Sequence, residues 1–346
     1  MKNGFFCITD GNKIHGMAEI LKATNHNLER CKRVLESSKI IAIPTETVYG
    51  LAGNALDEIA LKAIFNIKNR PLFNPLIIHI DCIKNAEKYA SFNPLARLLA
   101  EQFWPGPLTI ILPKKDIVPN LVTANLDSVA IRCPQNPTFL KLLERLTFPL
   151  AAPSANPFGY VSPTTSEHVN CSLGNKLEFI LDGDDCTIGI ESTIVDLRNT
   201  DKPKILRPGP ISKKALEEAG GTLFEQAKTA STNELRAPGM LKSHYSPNTP
   251  LEITTFDQLK RLITSKNQST FAFIFQKRPD ESLYQKSSNI YWLSESGEDL
   301  EIAHNLYQLL RATDALNYQR IYIEDILETE GMSVALKDRL SKAASQ

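Results

Sequence analysis

Short runs of Ile, Val and Leu recur along this chain, each too brief for a helix and each closed by a turn former, which limits the fold to layers of short strands. Ile40 to Ile43 stops at Pro44, LIIHI occupies 76–80, and PLTIIL, SVAIR, LAAPSAN, FILD and STIVDL follow. Helical spacing fills the gaps. Residues 28–39 read as a helix, and Asp57 is placed to cap another that carries Ala60, Ala63, Ile64 and Ile67 and ends near Asn69, ahead of Pro71. This alternation predicts an α/β domain with a mixed sheet over 26–213, after an N-terminal extension, 1–25.

From 214 to 250 the pattern weakens into Ala, Thr, Ser and Glu and then RAPGMLKSHYSPNTP, a linker composition. LEITT, FAFIF, IYWL and RIYIE beyond it read as strands, and one helix carries Ile302, Ala303, Leu306, Leu309 and Leu310 on a single face. A smaller three-layer α/β domain is therefore expected over 251–346. A length of 346 residues favours two domains on its own account.

The 39 basic and 39 acidic side chains cancel, so bulk attraction cannot hold a polyanion, and no run of Lys and Arg offers a local patch. Lys2, Asp10, Lys13, Glu19 and Lys22 break up the N-terminal stretch, and no apolar run is long enough to span a bilayer. A cytoplasmic protein without membrane association is expected. The six cysteines are scattered, with no C-x-x-C pair, which reads as reduced thiols and no protein metal site. A Walker A loop, a G-x-G-x-x-G turn, H-E-x-x-H and G-x-S-x-G are all missing.

What remains is a set of polar motifs at strand and helix ends. Pro44-Thr45-Glu46-Thr47-Val48-Tyr49-Gly50 is either an ordinary turn or a cluster of ligand-facing hydroxyls and a carboxylate. Lys68-Asn69-Arg70-Pro71 with Asn74-Pro75 either serves a helix dipole or forms a positive fork for phosphates, stiffened by the prolines. Arg132, closing SVAIR, is a surface charge or a clamp for a carboxylate. Ala151-Ala152-Pro153-Ser154-Ala155-Asn156 with Ser162 is a loop or a place where a ligand meets the backbone; Gly189-Ile190-Glu191-Ser192-Thr193 enters a strand, and Leu206-Arg207-Pro208-Gly209 follows as a sixth motif. His79 is a sheet histidine or a ligand contact, and Tyr245 a linker aromatic or a platform for a base.

In this order the motifs resemble the Sua5/YrdC/YciO family, in its longer Sua5 form; GMLKSHYSP and the ending GMSVALKDRLSKAA extend the match. The resemblance implies a YrdC-like twisted mixed-sheet α/β domain, a linker folding over the active site and a Rossmann-like C-terminal domain. It implies ATP-dependent synthesis of threonylcarbamoyl-AMP from L-threonine and bicarbonate with release of pyrophosphate, for the t6A modification of tRNA. Thr47, His79, Arg132, Ser154 and Ser192 would then surround threonine. Lys68, Arg70, Asn74, Ser128, Ala152, Ser162, Arg207 and Tyr245 would meet ATP, with Lys68 and Arg70 catalytic and Mg2+ carried by the phosphates. The product would pass to the tRNA threonylcarbamoyl transferase machinery; direct tRNA binding stays open.

Three positions depart from the family pattern: Asn125 replaces a glycine, Ser128 a threonine, and Asn136 a frequent histidine. Asn tolerates the left-handed backbone that glycine supplies, and Ser keeps the hydroxyl. Competing readings are an RNA-binding translation factor and a non-catalytic sensor of a nucleotide or amino acid.

Overall fold

The computed structural model describes residues 17–227, 237–239, 244–264, 268–285 and 287–345. They fall into two compact units, one built from 17–158, 162–227 and 237–239, the other from 159–161 and 244–345.

The described residues of the first unit form an eleven-stranded sheet. Its strands in chain order are β1 (Glu19–Lys22), β2 (Ile41–Ile43), β3 (Gly50–Asn54), β4 (Ile77–His79), β5 (Leu108–Pro113), β6 (Ser128–Arg132), β7 (Leu150–Ala151), β8 (Phe179–Asp182), β9 (Thr193–Asp196), β10 (Lys204–Arg207) and β11 (Glu225–Gln226). Across the sheet they run β1-β8-β2-β3-β7-β4-β6-β5-β9-β10-β11. Parallel pairs such as β4 with β6 mix with antiparallel ones such as β5 with β6.

Side-chain alternation decides what each face does. Ile78, Ile110, Ile131 and Val195 point into the main core, against Leu61, Ile64 and Phe65 of helix Glu58–Lys68 and Leu99 of helix Pro94–Phe103. On the other face, helices Asn25–Glu36 and Pro137–Leu143 lay Leu28, Leu35, Phe139 and Leu142 over Ile41, Ile43, Ala52 and Leu150. Their cover ends there. Over β4, β6, β5 and β9 the same face carries Ile77, Ala130, Ile111 and Ile194, a cluster with no helical member among the described residues and with Ala237 packed on it.

Local chemistry explains the element ends. Asp57 caps its helix through Ile59 N, and Asn69 closes it in the left-handed region at φ 53°. Asn125 takes φ 63°, so the turn survives without glycine. Asn136 caps helix Pro137–Leu143, accepting from the Thr138 and Phe139 amides, which is what its side chain does in place of the histidine.

Three expectations change. Residues 19–22, placed in an N-terminal extension, pair in parallel with β8 as the edge strand. Helix Lys213–Gly220 and β11 lie in the stretch read as linker, and Leu216 and Phe224 are buried in the main core; the weak sequence pattern reflected short elements, not their absence. Cys171 is disulfide-bonded, whereas Cys31, Cys82, Cys133 and Cys186 are free thiols. The rest of the linker, 228–236 and 240–243, lies outside the described residues, as does 1–16.

The second unit holds a four-stranded parallel sheet of β12 (Leu251–Thr254), β13 (Phe271–Lys277), β14 (Ile290–Ser294) and β15 (Arg320–Glu324), ordered β12-β15-β13-β14. Phe273 and Phe275 pack with Leu259 and Ile263 of helix Phe256–Thr264. Helix Asp299–Asp314 buries Ile302, Ala303, Leu306 and Leu310, as its spacing predicts, together with Tyr307, while Leu309, expected on the same face, is half-buried. No described helix is long and apolar enough to cross a membrane.

Gly209 packs tightly against the start of β9, because a Cβ there would lie 2.3 Å from Thr193 N. The substitution Gly209→Ala should cost about 1–3 kcal/mol or more through forced backbone shifts, read as a lower melting temperature and denaturant midpoint. Stability equal to the parent would show that the strands yield more easily than their packing implies.

Candidate active site

Pro44 ends β2, and Thr45 then organises a tight turn. Its hydroxyl accepts from the amides of Thr47 and Val48 at 3.1 Å each, donates to Val48 O at 2.6 Å and meets the Thr47 hydroxyl at 2.8 Å. Glu46, held between the two threonines, is buried, and its Oε1 lies 2.7 Å from Arg132 Nη2 with both side chains 5% exposed. The separation makes an ion pair, yet neither carboxylate oxygen takes an aligned hydrogen bond.

Register sets the rest of the row. Arg132 stands opposite His79 on β4 and opposite Thr109 on β5, and directly paired residues share a face. Arg132 Nε donates to Gly106 O at 3.3 Å. The Thr109 hydroxyl contacts Ser192 Oγ at 2.7 Å, and Arg207 donates to Ser192 O and Oγ at 3.0 Å each and to Pro238 O at 3.3 Å. His79 is buried 5.5 Å from the Phe139 ring, its Nδ1 without a partner. Burial, with the Arg132 charge beside it, drives its pKa down to about 3, so it is neutral at pH 7.

Lys68 ends its helix fully buried and donates to the carbonyls of Ser154 at 2.6 Å and Asn156 at 2.5 Å. Burial pushes the ammonium well below its ordinary pKa, and the charge of Arg70 adds to that. Arg70 is fixed by Asn74 O at 3.1 Å, Asn74 Oδ1 at 2.7 Å and Pro75 O at 2.8 Å. The expected open fork is therefore a pair of cations anchored on main-chain carbonyls and the Asn74 amide oxygen. Ser162 donates to Glu191 at 2.7 Å, Ala152 N bonds Ile77 O at 3.1 Å, and half-buried Ser154 bridges Gly50. Ser128 is buried at the start of β6, on the Arg132 face by alternation.

The structure thus brings Thr47, His79, Arg132, Ser192 and Arg207 into one neighbourhood, ties Lys68 to Ser154 and joins Arg70 to Asn74. Tyr245 belongs to the second unit, where it is buried at φ 66° with Tyr307 stacked 5.8 Å away and the Arg339 guanidinium 5.3 Å from its ring. Thr109 and Glu191 were not singled out by sequence, and Glu46 entered only as the carboxylate of its motif, with no role of its own. Glu46 and Glu191 sat inside quoted motifs, while Thr109 carried no signal beyond its place in an apolar strand.

A sequence profile of Sua5_yciO_yrdC, described as "Telomere recombination", matches residues 33–209. A second, described as "Threonylcarbamoyl-AMP synthase, C-terminal domain", matches 211–345. The chain belongs to the Sua5/YciO/YrdC family. It is 38% identical to the threonylcarbamoyl-AMP synthase of Pyrococcus abyssi over 90% of this chain and 92% of that one. The enzyme of the same name from Bacillus subtilis is 36% identical over 94% of each. Among solved structures, that of P. abyssi Sua5 complexed with L-threonine superposes with a TM-score of 0.85 at 35% identity, covering 94% of this chain and 98% of that one.

The depressed His79 pKa has a consequence for this family member's stability. The unfolded chain takes up a proton near pH 6.5 and the folded one only near 3, so stability is intact above that window and falls with pH inside it, by at most about 1.4 kcal/mol per unit. Melting temperatures from pH 7 to 4 should drop more steeply for the parent than for His79→Gln. Parallel curves would show that His79 takes up its proton without cost.

Proposed function

We propose that this Sua5/YciO/YrdC chain is an enzyme that makes L-threonylcarbamoyl-AMP from L-threonine, bicarbonate and ATP, releasing pyrophosphate, for N6-threonylcarbamoyladenosine in tRNA. The observation that carries this reading is the buried polar row on one sheet face, where Arg132 stands in register with His79 and Thr109 and the Thr109 hydroxyl meets Ser192, in a chain similar along nearly its whole length to a protein solved with L-threonine. The threonine amine becomes a carbamate, and a carbamate oxygen attacks the α-phosphorus.

In this reading Arg132 holds the threonine carboxylate, and Thr47, His79, Ser154 and Ser192 complete its pocket. Lys68, Arg70 and Arg207 stabilise charge on the phosphates, with Asn74, Ser128, Ala152 and Ser162 along the nucleotide. Lys68 suits that task because its two fixed partners are carbonyls, which orient the ammonium without cancelling its charge. Mg2+ would arrive on the nucleotide phosphates; among the described residues no group of three His, Cys, Asp or Glu is placed to hold a metal. Positioning three small reactants and excluding water can supply about 7–11 kcal/mol of the barrier. The adenylate would then serve the transferase that modifies tRNA.

The test is incubation of the purified protein with ATP, Mg2+ and bicarbonate, plus threonine, serine or neither, following pyrophosphate and the adenylate by mass. Threonine- and bicarbonate-dependent adenylate is the expected product, with serine about 10–200-fold less efficient for want of one methyl group. Arg132→Lys should raise the threonine KM by tenfold or more, about 1.4 kcal/mol, and leave ATP binding near the parent value, because an ammonium cannot grip a carboxylate with two parallel bonds. ATP binding without adenylate under any condition would remove the enzymatic reading.

A further inference from the structure

An amino acid enters a buried site as a zwitterion, and both charges need partners once water is stripped away. Arg132 suits the carboxylate. Among the groups assigned to the amino acid, Thr47, Ser154 and Ser192 are neutral and His79 is a weak base at neutral pH, so none answers the ammonium.

Glu46 does. Its carboxylate is shielded from solvent, and a carboxylate has about four acceptor positions, of which only the side towards Arg132 Nη2 is met. A buried acceptor left this incomplete is costly and calls for an explanation, such as a ligand. The other buried carboxylates of this unit are engaged: Glu191 takes the Ser162 hydroxyl and Asp196 the Arg198 guanidinium. The turn built by Thr45 fixes Glu46 beside Thr47, at the head of the row that Arg132 shares with His79 and Thr109.

We propose that Glu46 receives the α-ammonium of the amino-acid substrate and accepts the proton its nitrogen gives up on carboxylation, a role that rests on the threonine-dependent reading above. Ammonium and bicarbonate become carbamate, water and one proton. The nitrogen first passes that proton to Glu46; its lone pair then forms the N–C bond, a C–O bond of bicarbonate breaks, and the departing hydroxide leaves as water with a second nitrogen proton. Protonated Glu46 releases Arg132 from its ion pair as the substrate gains the carbamate charge, so the charge of the pocket is unchanged. Among the described residues, the titratable groups around Glu46 are Arg132 and Cys133 on the β6 side and Cys186 from the loop before Gly189, with His79 beyond Arg132. Burial, with Asp81, Cys82 and Glu46 adding to it, pushes the Cys133 thiol up to about 12, and burial holds Cys186 well above its ordinary range, so neither thiolate competes for the proton.

The experiment measures calorimetric binding of threonine and of its deaminated analogue, 2,3-dihydroxybutanoate, to the full chain and to Glu46→Gln, and adenylate formation against pH. The parent should prefer threonine by about tenfold or more, and Glu46→Gln should lose that preference by weakening threonine alone. Turnover of the variant should climb with pH by up to about tenfold per unit as threonine loses its proton in solution, while the parent changes less. Equal weakening of both ligands would reduce Glu46 to a support for Arg132 and overturn the proposal, as would unchanged threonine affinity or a variant profile as flat as the parent's. Should Glu46→Gln fail to fold, the parent decides: equal affinity for threonine and the analogue overturns the role, and a tenfold preference that Glu46→Asp retains upholds it. A parent that prefers threonine yet forms no adenylate would sink the catalytic reading while leaving the ammonium site standing.

Discussion

A guanidinium or a carboxylate shut away from water needs a partner, because burying either alone costs several kcal/mol. Arg132 and Glu46 meet each other at 2.7 Å, and much of the first unit is arranged around them. The pair ties the turn after β2 to the end of β6, and the Gly106 carbonyl ties the same guanidinium to the approach to β5. His79 and Thr109 flank it in register, and Thr109 passes the connection on to Ser192 and Arg207. A slip of one residue in β6 would turn Arg132 into the apolar core and Ile131 out of it, so the packing of one face fixes the chemistry of the other.

Two kinds of cation holding coexist in this site. Arg132 is matched by a full negative charge, whereas Lys68 is held by two carbonyl dipoles and Arg70 rests on the carbonyls of Asn74 and Pro75 and the Asn74 amide oxygen. Dipoles orient a cation and leave its charge to act on a ligand; a carboxylate largely spends it. That difference suits a reaction in which a triphosphate needs strong positive charge and a zwitterion needs both signs.

The second unit treats the carboxyl ends of its parallel strands differently from a nucleotide-binding sheet, where they leave a crevice. Here the Gln276 amide donates to Glu324 at 2.9 Å, its side chain bonds Asp325 O, and Lys337 pairs with Asp325, so the ends of β13 and β15 are cross-linked. Tyr245, which the family resemblance links to the nucleotide, is packed in this unit between Tyr307 and Arg339. Sequence could name Tyr245 as an aromatic of interest but not its neighbours, which lie far along the chain.

Strand and helix positions were legible because they depend on near neighbours: the stop at Pro44, the Asp57 cap, and the spacing from Ile302 to Leu310 are local signals. β1 and the short elements between 213 and 226 were not, since each is stabilised by partners such as β8 and β10 rather than by its own pattern. The motifs also named residues that end up together. The sequence by itself determined which residue types could carry charge and hydroxyls, and that they stand at element ends. Only the tertiary structure decided that Glu46 faces Arg132, that Thr109 joins Ser192, and that Lys68 rests on carbonyls 86 and 88 residues away, because each contact depends on strand register and closure of the sheet.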